Sequence, residues 1–261
     1  MWQGHGLRIR SAVPLPGAIP AEDAENPSDV EIVYATVPPG DSGCVSGPYR
    51  VTSPDLFEFT MPGLARFICL DRRRILVDPV PGADQAHLSK MLIATVLPAL
   101  LWARGDIVLH AAAFILDGAT QAIAVAGASG SGKSTVLARA LAMGACQVAD
   151  DSICLRVQHG AAIASGLAGG HFERIGDEGA RLFRPAPPNQ RRAASPVGAL
   201  LVLHPGTVRP HRLGGVEAIQ ALLTHRHRPR IVALLGMEAA SLSTMALIAR
   251  AVPVVALPPL S

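Results

Sequence analysis

An α/β fold, preceded by a small β-rich N-terminal segment, follows from three observations on these 261 residues. First, the stretch Gly127-Ala-Ser-Gly-Ser-Gly-Lys133-Ser134 fits the pattern G-x-x-x-x-G-K-[ST] without a mismatch. Second, that stretch has the flanks it needs. The apolar run Ala122 to Ala126 reads as a buried strand, and Ser134 to Ala142 has the spacing of a helix. Third, the chain up to about Pro81 alternates short β-like runs with Pro/Gly breakers. The expected division is a β-rich region over 1–82 and a nucleotide-binding domain over 83–261.

The elements read in order as follows. Leu7 to Val13, Val30 to Tyr34, Leu56 to Phe59, Ala65 to Leu70 and Ile75 to Val77 are short strands of a small antiparallel layer. Asp84 to Arg104 reads as a helix, bent at Pro98. Ile107 to Leu116 reads as one strand that ends at the hairpin signal Asp117-Gly118, and Gln121 to Ala126 returns into the loop. A hairpin there is unusual, because doubly wound nucleotide folds normally cross over through a helix. Gln147 to Ala149, Ser152 to Gln158 and Val197 to Leu203 are further strands, and Pro185 to Pro188 is a loop. Val216 to Leu223, Arg230 to Leu235 and Ser241 to Arg250 have helical spacing, and Val252 to Leu257 closes the chain as a strand.

The loop residues Gly127, Ala128, Ser129, Gly130, Ser131, Gly132, Lys133, Ser134 and Thr135 form the expected nucleotide-binding set. Glycines let the backbone bend and bring its N–H groups near phosphate oxygens. The helix N-terminus adds partial positive charge beneath the same anion. Lys133 can reach the β- and γ-phosphates of ATP, and the Ser134 hydroxyl can ligate Mg²⁺.

Asp150-Asp151 stands at the end of the strand after the loop helix, where such folds place an acidic metal ligand. One carboxylate, Asp150, can hold Mg²⁺ while Asp151 accepts a proton from an attacking hydroxyl. The plain alternative for both is a solvated turn. His110 lies in an apolar strand, where a histidine is ordinarily a core residue with a satisfied ring; beside phosphates it could orient groups or shuttle protons.

Composition narrows the remaining classes. Hydrophobic residues at 49% and charged residues at 16% supply a core rather than a disordered chain. A formal charge of +3 gives no argument for nucleic acid. The apolar stretch Met91 to Ala103 is short for a bilayer and contains Pro98, so a core helix is expected. The first residues lack the apolar region of an export signal, and Cys44, Cys69, Cys146 and Cys154 form no C-x-x-C pair. Reduced, buried thiols and a cytoplasmic location are expected, with no zinc site.

Three segments together carry a family resemblance. They are His110-Ala-Ala-Ala-Phe-Ile-Leu-Asp-Gly118, Ala124 to Ser134, and Val148-Ala-Asp-Asp151. They resemble the C-terminal catalytic domain of HPr kinase/phosphorylase, whose fold is similar to phosphoenolpyruvate carboxykinase and which phosphorylates a serine on a protein. The likeness is clear over about His110 to Leu155. It implies His110 as the active-site histidine, Lys133 and Ser134 as phosphate and Mg²⁺ contacts, and Asp150/Asp151 as the metal-ligand and catalytic-base pair. The family's stretch of the Leu-Glu-x-Arg-Gly-Leu-Gly type is absent; Phe172-Glu173-Arg174 and Gly176-Asp-Glu178 are the nearest segments. The short N-terminal segment looks more like the HPr-kinase-related proteins of lasso-peptide biosynthesis, which phosphorylate a precursor's C-terminal serine.

Arg181, Arg184, Arg191 and Arg192, and the run Thr224-His-Arg-His-Arg-Pro-Arg230, read as solvated basic surface, or as groups that hold the γ-phosphate or an acidic peptide. His225 and His227 are a poor helical metal pair, and Glu173 and Glu178 are secondary candidates for a metal contact. Three function classes follow: an ATP-dependent serine kinase acting on a peptide or protein, a small-molecule hydroxyl kinase, and a nucleotide-dependent regulatory ATPase. No Leu-Ser-Gly-Gly and no Asn-Lys-x-Asp motif points to a transport ATPase or a guanine-specific switch. No nucleic-acid or membrane partner is expected, and a homo-oligomer is left open.

Overall fold

The structure, a computed structural model, describes residues 1–22, 25–38, 42–175 and 180–259. It is a mixed α/β molecule with two large sheets and a helical layer between their apolar faces. Among the described residues the N-terminal sheet has nine strands: β1 (Trp2–Gly4), β2 (Leu7–Ser11), β3 (Ile19–Pro20), β4 (Val30–Tyr34), β5 (Cys44–Ser46), β6 (Tyr49–Ser53), β7 (Leu56–Met61), β8 (Ala65–Leu70) and β9 (Arg74–Pro79). Their spatial order is β3-β1-β2-β4-β9-β8-β7-β6-β5. The sheet is larger than the segment expected from the sequence, and it is mixed, because β4 runs parallel to both β2 and β9.

Period-two alternation gives this sheet one buried face. Ile32, Ile75, Cys69, Phe57 and Val51 face one another across successive strands, and all are buried. Beside them Tyr49, Phe59 and Phe67 stack with ring centroids 5.3 and 6.1 Å apart. Burial pushes the Cys69 thiol up, as it does Cys154 in the other sheet. All four cysteines are free, but Cys44 is exposed and Cys146 only partly covered, so the expectation of buried thiols holds for two.

The helical layer is α1 (Gln85–Met91), a π-helical turn over Leu92–Val96, and α2 (Leu97–Ala103). Asp84 caps α1 by accepting from His87 N at 2.7 Å. Pro98 cannot donate to Ala94 four residues back. The freed Ala94 carbonyl instead accepts from His227 Nε2 and from Arg228 Nε, each at 3.0 Å. The stretch Gln85–Ala103 is 19 residues long, and its length and composition would suffice to cross a membrane. Here every residue of α2 is buried.

The second sheet contains β10 (Ile107–Leu109), β11 (Ala111–Ile115), β12 (Ala122–Gly127), β13 (Cys146–Ala149), β14 (Ile153–Gln158), β15 (Ala161–Ser165), β18 (Ala194–Leu203), β19 (His211–Leu213) and β20 (Val254–Leu257). The hairpin β16 (Gly170–Ile175) and β17 (Ala180–Pro185) pairs only with itself. Strands β15, β16, β17 and β19 lie where the sequence offered no strong period. The run expected as one strand from Ile107 is two, broken at His110. Strand β10 pairs with β14, whereas β11 pairs with β12 and β13. On the other side of β12 lie β18 and then β20, both parallel to it.

Helix α3 (Lys133–Ala142) follows the loop; α4 (Gly215–Thr224), α5 (Pro229–Leu234) and α6 (Glu238–Ala251) complete the chain. The alternation along β11 assigns its two faces to different cores. Ala111 and Ala113 join the main core, while Ala112 and Phe114 pack with Leu137 and Ala140 of α3. The main core is continuous from Leu7 to Val254, so both sheets share it.

A half-buried arginine ties the sheets together. Arg156 on β14 donates to both carboxylate oxygens of Asp106, at 2.7 and 2.6 Å, and to the His5 carbonyl at 3.0 Å. The His5 ring itself is 1% exposed, and neither ring nitrogen has a hydrogen-bond partner. Burial first, then nearby His227 and Arg156, lowers its pKa from 6.5 to about 3. The unfolded chain therefore takes up a proton below pH 6.5 that the folded chain refuses. The stability carried by the neutral ring is complete above pH 6.5 and lost as pH falls toward 3. His5→Leu is accordingly expected to flatten the acid limb, sparing about 2–3 kcal/mol of unfolding free energy between pH 7 and 4.5 in urea titrations. Parallel pH profiles for the two proteins would refute it.

Candidate active site

The site is made by three strand ends. Strand β12 ends in the loop, and β13 runs the same way and ends at Asp150. Between them lies β11, antiparallel to both, so its beginning rather than its end reaches the same edge. Ala111 sits opposite Ala126 and Ala113 opposite Ala149. His110, one residue before β11, is thereby placed beside the loop and the aspartates. A cavity of about 230 Å³ opens there, and its lining includes His110, Lys133, Ser134, Asp150, Asp151 and Phe172.

The loop is wound tightly. Gly130 and Gly132 have φ of +81° and +100°, in the left-handed region that glycine adopts without a steric penalty. A Cβ at Gly127 would run into the Ser131 hydroxyl and lie 3.0 Å from Leu203 Cβ. Lys133 Nζ donates to the carbonyls of Gly127 and Ala128 at 2.8 and 2.9 Å, which folds the ammonium over the loop. Helix α3 has no side-chain cap and no acidic residue in its first turn. The Ser131 hydroxyl is buried without a partner. An uncapped helix start and an ammonium together fit a polyphosphate anion. Ser129, Gly130, Gly132 and Thr135 also line the cavity; Gly127, Ala128 and Ser131 lie behind it as loop framework.

The two aspartates differ in setting. Asp150 Oδ2 accepts from Phe172 N at 3.1 Å, and burial chiefly raises its pKa, with that hydrogen bond opposing. Gln147 Nε2 donates to the Gly170 carbonyl at 2.5 Å, which seats the start of β16 and so aims Phe172 N at Asp150. Asp151 has φ +64°. Its carbonyl accepts from His110 Nδ1 at 2.9 Å, and its Oδ1 lies 3.6 Å from the same nitrogen. A carbonyl cannot donate, so His110 carries its proton on Nδ1 and, when neutral, a lone pair on Nε2.

The run 224–230 was read as solvated basic surface, or as groups that hold the γ-phosphate or an acidic peptide; within it, Arg226 bridges Leu109 of β10 and His227 is buried. His110 N donates to the His225 carbonyl and His227 N to the Val108 carbonyl, each at 2.8 Å. Burial, then Lys133, His110 and His204, lowers the His225 pKa from 6.5 to about 4, so this ring is neutral at pH 7. Burial also lowers that of His227. His110, Asp151 and His227 each offer one ligand atom within 4.8 Å of the others. Two donor sets thus exist for a cation. Ser134 and Asp150 share the cavity as hard oxygen donors, which suits Mg²⁺ with phosphate; the histidine set suits a borderline metal.

Among the described residues no arginine lines this cavity. Arg191 donates to the Ala186 carbonyl and Arg226 to the Leu223 carbonyl, and Arg184 is exposed. Glu178 and the side chains of Glu173 and Arg181 lie outside the described residues. Phe172 and His227 are the residues sequence reading missed.

No family model matches the chain, and neither does any curated protein. Among solved structures, the Hpr(Ser) kinase/phosphatase from Coxiella burnetii is similar at 21% identity, with a TM-score of 0.33. That alignment covers 40% of this chain and 63% of the other, short of two thirds of its length. The functional reading below rests on the residues of the site.

Lys133→Ala is expected to weaken binding of Mg·ATP by roughly 1.5–3 kcal/mol, the scale of a charged hydrogen bond, in isothermal titration of a folded variant. Unaltered affinity would show that the loop is not the phosphate site.

Proposed function

We propose that the protein is an ATP-dependent kinase that transfers the γ-phosphoryl group to a serine hydroxyl of a peptide or protein. The observation that carries this is the convergence of the loop lysine, two unlike carboxylates and a histidine of defined tautomer on one cavity. Polyphosphate at the loop would put its terminal phosphate toward Asp151. The acceptor hydroxyl gives its proton to the Asp151 carboxylate as its oxygen bonds to the γ-phosphorus. The bond from that phosphorus to the β–γ bridging oxygen breaks, and ADP leaves with the electron pair. Lys133 neutralises charge on the phosphates, and His110 holds the Asp151 backbone in its left-handed turn. Ser134 and Asp150 would hold Mg²⁺, which would supply charge neutralisation at the phosphates. Burial of the Asp150 carboxyl favours this assignment, because a bound cation offsets the cost of desolvating it.

The acceptor class comes from the sequence resemblance, which favours the C-terminal serine of a lasso-peptide precursor. A reaction of this kind belongs with a cytoplasmic ATP supply. Transfer from γ-labelled ATP to peptides encoded beside this protein's gene, with mass mapping of the modified residue, tests it. Partner-stimulated hydrolysis without transfer would support a regulatory ATPase instead, and labelling of a small hydroxyl compound alone would support a small-molecule kinase.

The aspartates should separate by role. Asp151→Asn is expected to retain Mg·ATP binding and to lower transfer by roughly two or more orders of magnitude. Asp150→Asn should raise the Mg²⁺ concentration needed for half-maximal rate. Superimposable metal titrations and rates for the two variants would sink the assignment.

The reaction should also run one way. Phosphorolysis requires inorganic phosphate to be activated against a phosphoserine, and the signature stretch that serves it in the resembled family is absent here. Phosphorylated acceptor held with millimolar phosphate should yield neither pyrophosphate nor free serine at a rate near that of the forward reaction; finding both would reverse this reading.

A further inference from the structure

A second, larger cleft of about 620 Å³ opens at the same edge of the second sheet, on the opposite side of the loop from the aspartates. Its floor is Val202 and Ala256, near the carboxyl ends of β18 and β20 and both buried. One wall is α4, which presents Glu217, Gln220 and Thr224; the other is the loop from His204 to Arg209. Gly127 pairs with Leu203, so His204 leaves the sheet beside Ala128 of the phosphate loop. His225 lines the cleft and lies close enough to Lys133 for that ammonium to depress its pKa. The cleft and the phosphate loop are therefore neighbours.

The arrangement has a direction. Strand β12 stands between β11, with the aspartates beyond it on β13, and β18, with β20 beyond. Reaction chemistry sits on the β13 side. A triphosphate whose terminal phosphate lies there can send its other end over β18 and β20, where the cleft is. Its lining offers a flat group with hydroxyls an apolar floor and Leu213 for stacking area, a carboxylate and an amide on α4 for hydrogen bonding, and Arg209 and His211 as further donors. The Glu217 carboxylate disfavours a further anion and can accept from a vicinal diol, as acidic residues do for ribose.

We propose that this cleft holds the nucleoside of the donor, with the base over Val202 and Ala256 and the ribose hydroxyls at Glu217 and Gln220. This rests on the kinase reading, since it takes the loop to bind the phosphates. The test compares Mg·ATP with inorganic tripolyphosphate, which carries the phosphates and no nucleoside, by calorimetric titration. Gln220→Trp, at an exposed helical position, is expected to weaken ATP by about tenfold or more and to leave tripolyphosphate within about twofold. Equal loss for both ligands, or loss for neither, would overturn the cleft assignment while leaving the loop reading intact. If the unaltered protein binds neither ligand, the loop reading fails and takes this one with it. Glu217→Gln, which keeps the helix cap and the fold, provides an independent reading. It should narrow the preference for ATP over 2′,3′-dideoxy-ATP, because the amide oxygen accepts from the diol more weakly than the carboxylate does. Undiminished preference for ATP over the dideoxy compound in that variant would remove the ribose from Glu217.

Discussion

The site depends on one constraint, the placement of an antiparallel strand between two parallel ones. Had β13 paired directly with β12, the aspartates would sit beside the loop with no histidine near them. Inserting β11 reverses one chain direction, so a strand beginning meets two strand endings. The break at His110 makes this work. There the backbone stops pairing with β14 and starts pairing with β12, and its N–H is satisfied by the His225 carbonyl. That single hydrogen bond avoids an orphaned donor at the kink and draws the histidine-bearing segment 225–227 into the site.

A second dependency runs through the helical layer. Pro98 leaves the Ala94 carbonyl without its helical donor, and His227 and Arg228 supply replacements. Trp102 Nε1 donates to the His227 carbonyl at 2.7 Å from a fully buried position. The residue that stands against His110 is thus held from both its ring and its backbone by one apolar helix. On the far side of the core, Arg156 bonds Asp106 and the His5 carbonyl, and the buried His5 ring lies within electrostatic reach of His227. A chain of packed polar groups therefore links the N-terminal sheet to the neighbourhood of the site.

Much of the loop site was legible in the sequence because its signals are local. Glycine at positions requiring left-handed φ, a lysine after them, a strand before and a helix behind all lie within about twenty consecutive residues. Asp150-Asp151 and the hairpin at Asp117-Gly118 were legible for the same reason. The separate placement of Asp150 and Asp151 was not. It depends on Phe172 N, which is positioned by a buried glutamine on another strand. In the basic run at 224–230, Arg228 and Arg230 are exposed as read, but His227 is buried, and charge composition does not say which side chains turn inward.

By itself, then, the sequence determined an α/β chain with a tight glycine-rich loop between strand and helix, a carboxylate pair following it and a β-rich beginning, since each is written in short-range periodicity and turn chemistry. Only the tertiary structure decided that the N-terminal strands form one nine-stranded mixed sheet, that the strand at Ile107 breaks in two, and that His225 and His227 approach Lys133 and Asp151. Long-range pairing joins residues far apart in the chain: Ala122 lies beside Val197 in a parallel pair, and Leu109 bridges Arg226 in an antiparallel one. Such contacts are selected by which buried faces and unsatisfied backbone groups can meet across the whole core, and no local pattern encodes that meeting.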